Sequence, residues 1–336
     1  MKPGKLEISL LNRLLKRYAI LDSRVIIGPK IGEDAAVVDP GKGIDRYWVI
    51  TSDPITFTTE EIGYYGVVVS INDIATKGAN PKWFLATLLF PEAESDQKLI
   101  DKVFRQIHHA CHRFKVSFIG GHTEITPKLD RVILSGHMIG EVKKEGLVKT
   151  GGARTGDLLL LAKGVCIEGT SIIAREKEAE LLARGYPSPF IKRAKSFIYH
   201  PGIDVLGVAR IACNSVSVHS MHDPTEGGLI NGVIEMAWAS EKEFEVDLGR
   251  VFIYEESKTL CREFGIKPLG TIASGALLLT LSPGDLPIIQ KAFKKTAIPL
   301  QVIGKVKRGP PRVLSRDQRG YKELKPLPRD EILKIY

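Results

Sequence analysis

Residues 216–239 read VSVHSMHDPTEGGLINGVIEMAWA, and this stretch indicates how the second half of the chain folds. The apolar run over 216–221 is typical of a strand, and the apolar spacing over 227–239 is typical of a helix. Between them, the sequence Asp-Pro-Thr-Glu-Gly-Gly over 223–228 has the composition of a tight turn. Its two glycines open the helix, whose free backbone N–H groups would face a bound group. Such a helix start suits a phosphate, although a plain strand-to-helix turn has the same composition.

Strands and helices are mixed in the same way outward from this stretch. Helical patterns cover 6–18, 63–78 and 95–114, and strand-like runs cover 35–38, 48–50, 83–90, 116–119 and 131–142. We expect Ser95 to cap the helix over 95–114, with Asp96 in its first turn. A Gly-rich polar segment near 149–156 separates two halves. The sequence therefore predicts an α+β protein with one domain over 1–148 and another over 149–336.

Composition and charge exclude several classes of protein. The 336 residues are 43% hydrophobic and 26% charged, which is ordinary for a globular chain. No apolar run is long enough to span a membrane, and a cytoplasmic protein is expected. The net charge is 48 − 39 = +9, and residues 291–336 account for it with 13 Lys or Arg against 4 Asp or Glu. This basic tail lacks interleaved aromatic residues, so we expect a solvated face rather than a nucleic-acid site.

Five acidic residues lie where apolar runs stop, and these carry the first functional hypothesis. They are Asp34, Asp53, Asp73, Glu124 and Asp223. Carboxylates that converge from several element ends can hold Mg²⁺ or a similar hard cation. An isolated Asp at a strand exit is more often a turn former or a helix cap. Spacing alone does not decide between these readings.

Six short motifs occur in order and together resemble a known superfamily. They are Gly-x-Asp-Ala-Ala-Val-Val-Asp, Thr-Ser-Asp, Asn-Asp-Ile-Ala-x-x-Gly-Ala-x-Pro, Gly-Gly-x-Thr-Glu, Gly-Ala-Arg-x-Gly-Asp and Asp-Pro-Thr-Glu-Gly-Gly. The set resembles the ATP-binding superfamily of aminoimidazole ribonucleotide synthetase, selenophosphate synthetase, thiamine-monophosphate kinase and HypE, with HypE-like proteins as the nearest match over roughly residues 20–310. The resemblance implies two αβ domains and a homodimer whose N-terminal sheets pair into a β-barrel. It also implies that ATP and metal ions bind beside this sheet.

The resemblance assigns roles to individual residues by motif position. The metal ligands would be Asp34, Asp53, Asp73, His122, Glu124 and Asp223, with Asp73 and Asp223 also catalytic. The nucleotide contacts would be Lys30, Asn72, Thr225, Gly227 and Gly228. His122 stands where relatives tend to carry an acid, and imidazole suits transition metals, so the ion would be Mg²⁺ or Mn²⁺. The favoured interpretation of Lys30 is a surface lysine, and that of His122 is a contact to a phosphate or a backbone carbonyl.

The end of the chain departs from HypE. HypE chemistry uses a C-terminal cysteine after a Pro-Arg pair, but Pro328-Arg329 is followed here by Asp330 and no cysteine. The last cysteine is Cys261, so we expect no carbamoyl dehydration. The hypothesis is a divalent-metal-dependent ATP-binding enzyme that hydrolyses or transfers a phosphoryl group. The alternatives are a stand-alone metal-dependent phosphatase on nucleotides or phosphate esters, and a non-catalytic nucleotide-binding maturation partner.

Overall fold

The computed structural model describes residue 6 and residues 8–55, 60–317 and 320–336, which form two compact units. The N-terminal unit comprises Leu21–Gly28 and Asp34–Leu147, and the C-terminal unit comprises Met1–Ile20, Pro29–Glu33 and Val148–Tyr336. The expected domain over 1–148 therefore differs from the N-terminal unit at its start. One reason is that the Glu33 carboxylate accepts hydrogen bonds from the backbone N–H groups of Thr150 and Gly151, at 3.3 and 3.2 Å.

A mixed sheet with two helices makes up the N-terminal unit. Its elements are β1 (Val25–Ile27), β2 (Ala36–Val38), β3 (Arg46–Ile55), α2 (Ile62–Thr76), β4 (Asn80–Pro91), α3 (Gln97–Phe114), β5 (Ser117–Thr126) and β6 (Ile133–Lys143). In the described residues the strand order is β1-β2-β3-β6-β4-β5, with β4 and β5 parallel and the other pairs antiparallel. The alternating burial of β4 and β6 follows from side chains that point to opposite faces of the sheet.

Helix α2 packs closely on this sheet and is almost entirely buried. Two glycines allow the approach: a Cβ on Gly66 would lie 2.2 Å from a methyl carbon of Leu134, and a Cβ on Gly136 would lie 2.7 Å from Ser70 Oγ. The helix therefore holds its polar residues, including Asp73, against the strands.

Two local predictions about this unit are wrong. Helix α3 begins at Gln97, and its cap is Asp96, whose Oδ1 accepts a hydrogen bond from the Leu99 backbone N–H at 2.8 Å. Ser95 instead donates to the Pro91 carbonyl oxygen at 2.6 Å. Strand β5 does not end at Gly120-Gly121 but continues to Thr126. The two glycines adopt φ of +140° and +142°, which lets the backbone pass through an irregularity in its pairing with β4.

The C-terminal unit is a second mixed sheet surrounded by helices. Its elements are α1 (Ile8–Tyr18), β7 (Leu158–Ala162), α4 (Ile167–Glu176), α5 (Glu178–Ala183), α6 (Ser188–Lys195), α7 (Leu206–Ser215), β8 (Val218–His222), α8 (Gly228–Ser240), β9 (Glu243–Val246), α9 (Glu255–Glu263), β10 (Leu277–Leu281), α10 (Leu286–Lys294), β11 (Leu300–Lys307), β12 (Arg312–Asp317) and β13 (Gly320–Leu324). The strand order in the described residues is β13-β12-β9-β11-β7-β10-β8. Strand β7 is an uninterrupted apolar run and β10 is apolar except for Thr280, because both faces of these strands are covered.

The basic residues near the C-terminus are partly neutralised by the sheet. Lys305 on β11 lies 2.9 Å from Glu245, and Arg312 on β12 lies 2.7 Å from Glu243, both acids being on β9. These pairs favour the expected solvated face over a nucleic-acid site. Among the described residues, no helix is both long and apolar enough to cross a bilayer.

Candidate active site

The N-terminal unit brings Asp53 and Asp73 together around the hydroxyl of Thr51. Thr51 and Asp53 share a face of β3, and Asp73 lies on α2, which packs against that strand. Thr51 Oγ1 lies 2.5 Å from Asp73 Oδ2 and 3.0 Å from Asp53 Oδ2. The backbone carbonyl oxygen of Asp34 lies 3.3 Å from the same hydroxyl. A hydroxyl has one proton, so it donates to one of these three oxygens, and the site is rich in acceptor oxygens.

A buried ion pair lies beside these carboxylates. Lys77 caps the C-terminus of α2, and its ammonium lies 3.6 Å from a carboxylate oxygen of Asp34, which precedes β2. The side chain of Lys77 is 0% exposed and that of Asp34 is 8% exposed. A buried charge is tolerated only when it is paired or hydrogen-bonded. Sequence analysis missed Lys77, although a lysine that directly follows an apolar helical run was a usable signal.

The donor set around Thr51 fits a hard cation. Carboxylate, hydroxyl and carbonyl oxygens are the ligands that Mg²⁺ takes, and Mg²⁺ is commonly held by one or two carboxylates together with substrate phosphates. Among the described residues, the carboxylates of Asp34, Asp53 and Asp73 do not together form a three-ligand cluster. Asn72 is fully buried on α2, and its contact to a nucleotide stays a prediction.

His122 and Glu124 lie elsewhere in the sheet. Both are in the middle of β5, where the exposed fractions of their side chains are 67% and 52% and their Nε2 and Oε2 atoms lie 3.3 Å apart. His122 pairs with Thr87 on β4, Thr87 with Ser135 on β6, and Ser135 with Pro54 on β3. Three strand spacings therefore separate His122 from the neighbour of Asp53, or roughly 14 Å. Within one copy of the chain, His122 and Glu124 do not share a cation with Asp53.

Asp223 lies in the C-terminal unit directly after β8, as the sequence predicted. It is 2% exposed. The adjacent His222 places its Nε2 atom 2.9 Å from Glu235 Oε2 on α8. Thr225 accepts a hydrogen bond from the Gly228 backbone N–H through its carbonyl oxygen, at 3.0 Å. The turn therefore presents a buried carboxylate next to a histidine that is engaged with a second acid.

Gly227 and Gly228 begin helix α8, but a side chain of the same chain already binds there. Their φ values of +78° and +60° require glycine. The Gly227 backbone N–H donates to Asp330 Oδ2 at 2.6 Å. The position expected to receive a phosphate thus receives a carboxylate from a residue 103 positions further along the chain. Local sequence patterns carry no signal for such a contact.

Lys30 belongs to the C-terminal unit, where it is exposed and its ammonium donates to the Ala239 carbonyl oxygen at 3.1 Å. The thiols of Cys111 and Cys213 are poor nucleophiles, because burial raises the pKa of Cys111 to about 12 and that of Cys213 to about 11.

Comparison with known proteins identifies both halves of the chain. The family model described as AIR synthase related protein, N-terminal domain, matches residues 32–142, and the corresponding C-terminal domain matches residues 154–315. A protein of Methanocaldococcus jannaschii named as a hydrogenase expression/formation protein is 26% identical over 81% of this chain and 78% of its own length. Selenide, water dikinase of Aeromonas hydrophila is 27% identical over 75% of this chain and 69% of its own length.

Solved structures of similar proteins agree with these matches. Hydrogenase maturation protein HypE in complex with ATP superposes with a TM-score of 0.67 at 19% identity, covering 96% of this chain and 91% of that one. AaThiL complexed with AMPPCP and TMP superposes with a TM-score of 0.70 at 18% identity, covering 94% and 95%. The predicted two-domain α/β fold of the HypE type is confirmed.

Proposed function

This chain belongs to the AIR synthase related protein family, and on that premise we propose that it is an ATP-using enzyme that transfers or hydrolyses a phosphoryl group with the help of a divalent metal ion. The observation that carries the proposal is the arrangement of Asp53 and Asp73 around one hydroxyl, that of Thr51. Three acceptor oxygens lie within hydrogen-bond distance of the single hydroxyl proton of Thr51. A purely structural hydrogen bond requires only one. A cation supplied with a nucleotide would relieve their mutual repulsion.

Each residue of this group has a defined task in the proposed reaction. Asp53 and Asp73 would hold Mg²⁺ or Mn²⁺, and the bound ion would neutralise the phosphate oxygens of ATP. The hydroxyl of Thr51 lies within hydrogen-bond distance of both carboxylates and orients the one to which it donates. Lys77 compensates the charge of Asp34. The relatives support ATP as the phosphoryl donor, because one is named a dikinase and one structure is a complex with ATP.

We propose in addition that the chain forms a homodimer through its N-terminal unit. Strand β5 lies at one edge of the sheet among the described residues, and nine of its ten residues are exposed. Ile119 and Ile125 are exposed by 54% and 48%. An open strand edge with exposed apolar side chains is a surface that another chain can pair with. Ile119→Lys should convert a dimer into a 37 kDa monomer in light scattering, and a monomeric wild type would contradict the dimer.

The enzyme is tested by phosphate release from ATP and from a panel of nucleotides and phosphate esters, each with several metals. Asp73→Asn and Asp53→Asn should both lower the rate by roughly a hundredfold or more, as expected for loss of electrostatic stabilisation of a transferring group. Asp45→Asn is the matched control, because it removes the same charge from an exposed position of the same unit. Equal rates in all three variants would contradict the proposed site.

The same assay separates the alternatives. Release of phosphate from many esters without ATP would favour the stand-alone phosphatase. Metal-linked binding of ATP without turnover on any acceptor would favour the non-catalytic maturation partner. Release of phosphate in either form of the assay would favour an enzyme over the non-catalytic partner.

A further inference from the structure

The last twelve residues of the chain, 325–336, pack along the start of helix α8, and we name them the C-terminal strap. The backbone of Leu327 exchanges two hydrogen bonds with the side chain of Asn231, at 2.8 and 3.2 Å. Ile332 and Ile335 are buried, with 0% and 5% exposure. A side chain at Gly270 would place its Cβ 2.5 Å from a Leu327 methyl carbon. The strap is therefore a fitted part of the C-terminal unit.

Asp330 is the polar centre of the strap. Its Oδ2 accepts the hydrogen bond from the Gly227 backbone N–H at 2.6 Å, and its Oδ1 accepts one from the Ile332 backbone N–H at 2.7 Å. The residue is 7% exposed. Free N–H groups and the helix dipole favour a negative group at a helix N-terminus. Asp330 supplies that negative group from within the chain.

We propose that Asp330 is a specificity-determining residue, which fills the anion position at the start of α8 and thereby keeps phosphate-bearing ligands away from Gly227 and Gly228. The inference concerns the C-terminal unit alone, and it holds whether or not the carboxylates of the N-terminal unit serve phosphoryl transfer. A ligand that enters near the Asp-Pro-Thr-Glu-Gly-Gly turn would then contact the start of α8 through chemical groups other than its phosphate. A phosphate could reach Gly227 only after the strap has left.

Two opposing effects act on the charge of Asp330. Burial raises the pKa of Asp330 to about 6, against the opposing effect of hydrogen bonds from the backbone at Ile332 and Gly227. The group is therefore still ionised at pH 7.5. Glu226 lies near enough to raise this pKa further, and burial raises the pKa of Glu168 on α4 to about 7. Acids thus surround the position, and an additional anion would meet repulsion.

The test observes the Gly227 amide directly. Labelling with ¹³C-carbonyl glutamate and ¹⁵N-glycine selects only Glu-Gly pairs, which in this sequence give the amides of Gly146, Gly169 and Gly227. The full-length protein is titrated with inorganic phosphate. In the wild type and in the control Glu331→Gln, which removes a neighbouring carboxylate of the strap, the Gly227 signal should not move. In Asp330→Ala it should shift saturably, at phosphate concentrations at least about tenfold below any that move the wild-type signal.

Two results would overturn the proposal. One is a Gly227 shift in the wild type at the same phosphate concentration as in Asp330→Ala. The other is no shift in Asp330→Ala while the Gly146 and Gly169 signals show that the variant is folded. If Asp330→Ala fails to fold, Asp330→Asn takes its place, since the amide keeps the shape and an acceptor oxygen but loses the charge. Asp330→Asn should respond to phosphate at lower concentration than the wild type, and an unchanged response would contradict the role of the charge.

Discussion

Replacing Lys77 with methionine measures how much the ion pair between Lys77 and Asp34 stabilises the N-terminal unit. Methionine has a similar length and no charge, so the change removes the ammonium while the space stays filled. The substitution removes the ammonium that lies 3.6 Å from a carboxylate oxygen of Asp34, whose side chain is 8% exposed. Lys77 is not one of the residues around the Thr51 hydroxyl, so the change in stability reports on the ion pair between Lys77 and Asp34.

The expected loss follows from the geometry. Two unit charges 3.6 Å apart attract each other by about 5 kcal/mol at an effective dielectric constant of about 20. Removing one partner of a buried pair typically costs about 3–5 kcal/mol. For a unit of this size that corresponds to a melting temperature lower by roughly 6–20 °C. Asp34→Asn combined with Lys77→Met should recover part of the loss, because the uncompensated charge is then gone.

Scanning calorimetry with and without Mg²⁺ is the assay. We expect Mg²⁺ to raise the melting temperature of Lys77→Met more than that of the wild type, because a cation near Asp34 replaces the missing ammonium. Lys82→Met serves as the control, since Lys82 is an exposed lysine of the same unit. A loss in Lys77→Met no larger than in Lys82→Met would refute the argument that the pair compensates a buried charge.

Three further predictions concern the metal, the strap and the tail. His122 is exposed on β5, and roughly 14 Å separate it from the strand position beside Asp53. If His122 binds the metal ion of a second copy of the chain, His122→Asp should lower the ratio of Mn²⁺-supported to Mg²⁺-supported activity. An unchanged ratio would show that His122 is not a ligand. The raised pKa values of Asp330 and Glu168 mean that docking of the strap is tightest below pH about 4 and is weakened, though not abolished, as pH rises through about 6 to 7. Hydrogen exchange of residues 332–335, corrected for intrinsic rates, should lose protection over that range, and Asp330→Asn should flatten the profile, whereas a pH-independent wild type contradicts it. Incubation with ATP and a carbamoyl donor should leave the mass of the chain unchanged, because the tail has no thiol, and an adduct within 320–336 would show the opposite.

Much of the fold could be predicted because local periodicity reports it. The helical spacing over 63–78 corresponds to α2, and the run over 131–142 corresponds to β6. The extent of β5 could not be predicted, since Gly120-Gly121 reads as a strand end. Pairing with β4 carries the strand through those glycines to Thr126, and such pairing is a long-range interaction.

The candidate site was predictable in its residue types but not in its grouping. The acids Asp53 and Asp73 were identified, yet Asp53 lies within a strand and Asp73 within a helix rather than at element ends. The position of the Thr51 hydroxyl between Asp53 and Asp73 depends on how α2 packs on β3, and the pairing of Lys77 with Asp34 joins residues 43 positions apart. The contact of Asp330 with Gly227 joins residues 103 positions apart. No local pattern encodes these contacts.

Calorimetric titration of the full-length protein with ATP, in Mg²⁺ and then in EDTA, measures whether ATP binding depends on a divalent metal. We expect ATP to bind only when the metal is present. Asp73→Asn should weaken this binding strongly, and Asp45→Asn should leave it unchanged. ATP binding of equal strength in EDTA, or in Asp73→Asn, would contradict a metal-dependent nucleotide site built on Thr51, Asp53 and Asp73.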